Sequence, residues 1–330
     1  MRRQGQTFHL QQLLRLAVAM LLLSGPAGTL AETVRVLFVS SHTSSPYLKF
    51  IEQAQQALQT GNPVRTTTTT LSAEALAADE TGSLSGYDLV VALGIQAARA
   101  VRHQQPDAPV LYALIPQASW QQLQQSGELH CPEQRCSAVF IDQPLPRLLS
   151  IISTAFGKPT RIGVLLGPTS AQQHEELSRL AASHKMTLVT EQVSDQADLL
   201  PALDRLLENS DLLLAVADPL IYNSRTTRSL LLTTYRYRVP MLAYSRAFVE
   251  AGAALAVYST PRQIGRQSAD IIATWLKNPQ AGLPAPQYPS NYRVRINSRV
   301  ADSLRLDLAR NPDLLSIIRK ADNEPADDTE

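Results

Sequence analysis

Asp218 poses the chemical problem in this chain. It ends the run "DLLLAVAD", where six apolar residues from Leu212 to Ala217 lead straight into a carboxylate. An acid at the end of a buried strand can cap the helix that follows, because Asp is a preferred N-cap. It can also meet a cation or donor on a ligand, because open α/β sheets bind ligands beyond the carboxyl ends of their strands. Pro219 fits either role. Other chemistry is missing from the sequence. There is no GxSxG elbow, no HExxH, no phosphate-binding P-loop and no GxGxxG after the first strand, which argues against hydrolase, zinc peptidase and dinucleotide sites. The six histidines are scattered, with no ligand pair at helical spacing. No catalytic residue, metal or cofactor is therefore expected. Cys131 and Cys136 lie in "HCPEQRCS". CxxxxC is not a zinc spacing and His130 supplies too few further ligands, so the pair reads as a disulfide or as two free thiols.

These residues need elements to position them. "VRVLFVS" (34–40), "VRTTTTTL" (64–71), "YDLVVALG" (87–94) and "APVLYALIP" (108–116) read as strands. Helical spacing separates them, as in 47–59, where Leu48, Ile51, Ala54 and Leu58 share one face. Residues 117–142 break the rhythm with a Gln-rich, cysteine-bearing segment that ends in the short strand "SAVFID". The alternation restarts near 143 and runs through strands at 160–167, 211–217, 239–245 and 252–259. Ser170 is a helix N-cap candidate within this series. Repeated β-α alternation predicts two α/β units, each a doubly wound parallel sheet with helices on both faces. The loops at the strand ends are polar and small. They are 40–47 ("SSHTSSPY"), 94–96 (Gly94 first), 116–120 (with Gln117), 167–170, 217–224 and 244–248. Facing one another, they would line a ligand cleft.

The chain has 330 residues, 44% apolar and 18% charged, with a net charge of +1. Residues 1–31 have arginines at 2, 3 and 15, then an apolar run from Leu16 to Leu23, then a Gly/Pro break and Ala31. This is the layout of a secretory signal peptide, and its apolar run is too short to span a bilayer. The leader carries three arginines and no acids, so cleavage would turn +1 into −2. No nucleic-acid partner is expected at that charge. "ADNEPADDTE" closes the chain, and residues 313–330 read as an acidic disordered tail.

The stretch from Asp211 to Asn278 resembles the second half of ABC-transporter substrate-binding proteins of the type I periplasmic binding fold. It is most similar to the subfamily with tryptophan- and tyrosine-type binders. The matching pieces occur in order: Asp218 ending its strand, "VPMLAYS", "VEAGAALAVYS", "IGRQSADI" and "YRVRINSRVADSLRLDL". "TRIGVLLGPTS" resembles the family's opening strand of the second lobe. The family's first-lobe "DPv" and "GgNvTG" segments have no counterpart; "IPQASW" and the cysteine loop stand there. The resemblance implies two lobes joined by three crossovers, with 33–142 and 253–284 in the first and 143–252 and 285–312 in the second. It implies a periplasmic protein that closes on a small amino-acid-like or amine-bearing solute and hands it to the permease and ATPase of an ABC importer. The same fold used for sensing, or for contact with an envelope protein, is the alternative. Carried over by resemblance, Asp218 would meet the ligand amine. Thr169 and Ser170 would form a polar loop of the second lobe, and Ser41, His42 and Thr43 one of the first. Arg246 and Tyr258 fall where cleft contacts are expected, Arg246 as a bidentate holder of a carboxylate. Tyr47, Trp120, Tyr222 and Tyr244 are candidates for an apolar wall.

Overall fold

The computed structural model describes residues 33–60, 64–78, 84–129, 131–156 and 161–322. The expected signal peptide, His130 and the last eight residues lie outside these. Among the described residues no helix is long and apolar enough to cross a membrane.

The first sheet contains β1 (Val34–Ser40), β2 (Thr66–Ser72), β3 (Leu89–Leu93), β4 (Val110–Ile115) and β5 (Cys136–Phe140), in the spatial order β2-β1-β3-β4-β5. All of its pairings are parallel. β3 and β4 are fully buried apolar runs and β1 is buried from Val36 onward, as a sheet covered on both faces demands. β2 is a threonine-rich edge strand whose side chains stay largely accessible. Its β-branched residues favour extended backbone without needing a core.

Strand pleating sends alternate residues to opposite faces. Val36, Phe38, Val91 and Leu111 join one core with the helices Ser45–Thr60 and Pro261–Lys277. Leu37, Val39, Val90 and Tyr112 join the other, against the helices Ile95–His103 and Gln117–Gln125. The Gln-rich segment thus continues the alternation that it was expected to break. Gln, Ala and Leu are good helix formers, and Ala118, Trp120 and Leu123 give them a buried face. In the first helix Phe50, Ile51, Ala54 and Leu58 are buried, while Leu48 is exposed.

The second sheet contains β6 (Arg161–Leu166), β7 (Thr187–Gln192), β8 (Leu212–Leu214), β9 (Met241–Ala243), β10 (Leu255–Tyr258) and β11 (Arg293–Ile296). Its order, β7-β6-β8-β9-β10-β11, repeats the winding of the first, with β11 added antiparallel at the edge. β10 pairs here with β9 and β11, so the chain returns to the first lobe after Tyr258 and not at residue 253. The helix that follows, Pro261–Lys277, packs on the first sheet. Its start is fixed by Pro261 and by a capping box between Thr260 and Gln263. The expected tail also begins later. Pro312–Asp322 is a helix, with Leu314 and Ala321 buried and Ile317 and Ile318 packed on the second core. These four residues recur at helical spacing, which outweighs the acids around them.

Three segments therefore cross between the lobes: one after β5, one after β10 and one before β11. They are tied to one another. Gln143 Nε2 donates to Ser259 Oγ at 2.8 Å, and Ser259 Oγ donates to the Asn291 carbonyl at 2.5 Å. Arg147 donates to Gln143 Oε1 and to the Pro289 carbonyl, and lies over the Tyr292 ring. The fold is two doubly wound α/β lobes on a three-strand hinge.

Candidate functional site

In a sheet wound in this order, the carboxyl ends of the first and third strands diverge and leave a crevice. In the first lobe that point lies between β1 and β3. The β1 loop brings Ser41 and His42, and the β3 loop brings Gly94. Ser41 Oγ accepts the N–H of Ala97 at 2.9 Å, which locks the loop to the start of the next helix. Gly94 has φ +84, and a Cβ there would lie 2.7 Å from Ser41 Oγ and 2.8 Å from Tyr47 Oη. Only glycine fits this corner. Gly94→Ala is expected to cost about 1–3 kcal/mol in denaturant unfolding.

The equivalent point of the second lobe lies between β6 and β8, and Asp218 fills it. The residue is 2% exposed. Its Oδ2 accepts from Thr169 N (3.1 Å), Ser170 N (2.9 Å) and Ser170 Oγ (2.9 Å), and its Oδ1 accepts from Leu220 N (3.0 Å). Ser170 Oγ in turn accepts from Gly167 N. Asp218 therefore caps its own turn and clamps the loop 167–170 to it. Ser170 serves the clamp and makes no side-chain cap for the short helix after it.

A cavity of about 580 Å³ is lined from both lobes. Of the residues expected from sequence, Ser41, His42, Gly94, Asp218 and Tyr222 line it, together with Tyr47 and Tyr244. Gln117 lines a smaller recess behind it, beside Asp142, Tyr244 and Tyr288. Thr43 and Arg246 are exposed and line neither space, and Arg246 pairs with Glu250 at 2.7 Å. Thr169 and Ser170 hold Asp218 from behind. Tyr258 packs against the second core. Trp120 is core, edge-on to Tyr112 and Phe140.

The residue that sequence reasoning missed is Asp142. It follows β5, at the carboxyl edge where every other candidate was sought, and lines both the cavity and the recess. The Gln117 N–H donates to it. Burial pushes its carboxyl up to about 6, against the pull of that hydrogen bond. Leu114 was missed as well. It lines the cavity at a β-bulge with φ +56, a left-handed conformation that a bulky residue seldom adopts. The bulge re-aims the end of β4 toward the cleft.

Aromatic rings flank the space on each side. His42 and Tyr47 meet edge to face at 5.6 Å on the first lobe. Tyr222, Tyr244 and Phe248 form a triangle with centroids 5.2–6.0 Å apart on the second. Burial raises the phenols of Tyr47, Tyr222 and Tyr244, and for Tyr244 the charges of Asp142 and Asp218 add to it. All three stay protonated at neutral pH and can donate. The Tyr222 hydroxyl is buried with no partner among the described residues. Arg99 at the rim pairs with Glu128 at 2.7 Å. With Asp218 satisfied by four donors, Asp142 is the cleft carboxylate with acceptor capacity left over. No group of three or more His, Cys, Asp or Glu side chains able to hold a metal occurs among the described residues. Cys131 and Cys136 are joined in a disulfide.

Residues 71–314 match the family described as ABC transporter substrate binding protein. No curated protein matches the chain. Solved structures do. A Streptococcus pneumonia ABC domain in complex with L-Trp aligns with a TM-score of 0.62 and 16% identity, over 86% of this chain and 98% of that one. A conserved domain protein from Vibrio cholerae gives 0.62 and 18%, over 86% and 98%. The open, ligand-free form of a Clostridium difficile substrate binding protein with adhesive properties gives 0.64 and 14%, over 83% and 95%. At these identities the likeness carries the fold.

Proposed function

Because this chain belongs to the family of ABC transporter substrate binding proteins, we propose that it captures a small amine-bearing solute with a flat apolar part in the cleft between its lobes. The solute then passes to the permease and ATPase of an importer, on the outer side of the membrane that the expected signal peptide would let the chain reach. Asp142 carries the reading. Its carboxylate is costly to ionise where it stands, and an ammonium group would relieve that cost. The ring pairs on the two lobes supply faces for an aromatic or similarly flat body, and aromatic contacts add about 0.5–1.5 kcal/mol beyond area burial. L-Trp, present in the Streptococcus structure, combines those two features.

Calorimetric titration of the purified chain with aromatic amino acids and aromatic amines tests this. Saturable binding to amine-bearing members, with none to their deaminated analogues, is the expected outcome. Equal binding of amine and deaminated analogue would remove Asp142 from the ligand contact.

The pH dependence has a definite sign. Burial raises the Asp142 carboxyl to about 6, and only the ionised carboxylate attracts an ammonium. Affinity should be flat above about 7. It should then fall as pH drops through about 6, approaching a tenfold loss per unit until the bound complex itself takes up a proton. A titration series from pH 8 to about 4.5 reads this directly. An affinity that rises on acidification would contradict the assignment.

A further inference from the structure

A second recess, of about 260 Å³, lies away from the cleft on the first lobe. It is lined by Arg102 from the last turn of the helix Ile95–His103, by Gln105, Pro106 and Ala108 of the loop after it, by Val110 and Tyr112 of β4, and by Pro132, Arg135 and Cys136 of the disulfide loop. Arg102 makes no ion pair among the described residues, and its Nε is buried without a hydrogen-bond partner. The residue as a whole is half-buried, its guanidinium always carries its charge, and a donor kept from both water and a partner is unfavourable. Arg135 shares the recess. Its Nη2 donates to the Asp107 carbonyl, and among the described residues no other partner takes the rest of its fork. No carboxylate lines the space. The helix end contributes about half a negative charge, too little to balance two guanidinium groups.

We propose that this recess is a binding site for a small oxyanion, a phosphate or carboxylate group taken bidentately by Arg102, with Arg135 closing over it. Two forks meeting planar or tetrahedral oxygens is the arrangement in which arginine outperforms lysine. The disulfide between Cys131 and Cys136 ties the loop carrying Arg135 to β5, and the Arg135 carbonyl accepts from Val110 N at 3.0 Å. Arg135 is thus held over β4 by a covalent closure and a sheet hydrogen bond. Tyr112 of β4 and Arg102 line the same recess, and the Arg102 charge opposes the burial that raises the Tyr112 phenol.

The test uses the purified chain titrated separately with inorganic phosphate and with acetate, followed by amide chemical shifts. Saturable shifts confined to residues 102–112 and 132–136 are expected with one anion or both. Phosphate alone would mark a phosphoryl group as the natural ligand, and acetate a carboxylate. Arg102→Gln should weaken the binding about tenfold or more, with Arg135→Gln losing less. Arg179→Gln, at an exposed arginine on the helix His174–Ser183 of the second lobe, should leave it unchanged. Arg102→Gln removes an unpaired charge and should melt no lower than the wild type, so its loss of anion binding reads the site and not the fold. Absence of saturation with both anions, or equal affinity in Arg102→Gln, overturns the proposal.

Discussion

Asp142→Asn is expected to make the protein more stable and, in the same variant, to weaken capture of amine-bearing solutes severely. The two effects share one cause. In the wild type the folded carboxyl sits at about 6, above its ordinary 3.8, because burial penalises its charge. A group raised on folding costs nothing while it is protonated in both states. Its penalty opens as pH rises above about 4 and is complete above about 6. The asparagine carries no such penalty, and its side-chain oxygen can still accept the Gln117 N–H. The variant should therefore match the wild type at pH 4 and exceed it at pH 7 by about 1–2 kcal/mol. The full rise from 3.8 to about 6 is discounted here because the side chain keeps some access to solvent. Ligand binding should fall by about 3 kcal/mol, roughly a hundredfold or more in Kd, since a charge-assisted contact is lost and a neutral amide must face an ammonium. Denaturant unfolding at two pH values, paired with calorimetry, reads both halves. A variant that loses stability at pH 7 while keeping its solute would refute both.

The strands were legible because parallel sheets covered on both faces need near-continuous apolar runs, and those runs stand out in the sequence. The repeat of the winding followed from the restart near residue 143. Three features were not legible, each for a local reason. The helix at 117–125 hides its apolar face among glutamines. The helix at 312–322 borders an acidic end that dominates its composition. β10 joins the second sheet although the helix three residues later belongs to the first, so the boundary sits inside a motif that reads as one piece.

The site was legible as loops but not as side chains. His42 lines the cavity while Thr43, its neighbour, does not. Ser245 lines it while Arg246 turns out to pair with Glu250. A strand end sets the neighbourhood of a pocket, and local backbone geometry, such as the bulge at Leu114, selects which residue enters it. Arg102 and Arg135 are 33 positions apart in the sequence, and nothing in either segment announces the other.

Asp218 marks the sharpest divide between a residue's place and its work, and its replacement should show it. The carboxylate lies at the edge of the cavity, yet its oxygens are engaged by four donors from its own lobe. Asp218→Ala strips the acceptor from three backbone N–H groups at once. An unsatisfied buried donor costs about 1–3 kcal/mol, and water can reach some of these three, so a loss of about 3–5 kcal/mol is expected. Asp218→Asn keeps the shape but must aim an NH₂ either at three donors or at Leu220 N, so it should lose less, about 1–3 kcal/mol. Gly167→Ala supplies an independent probe. Its Cβ would stand 2.6 Å from both Asp218 oxygens, which forces the clamp apart while the acid itself stays in the sequence. All three should lower the unfolding midpoint, in the order Ala at 218 most and Asn at 218 less, with the Gly167 variant resembling the former. If Asp218→Ala instead stayed within about 1 kcal/mol of wild type and lost only its solute, the carboxylate would belong to the ligand and the clamp would be incidental.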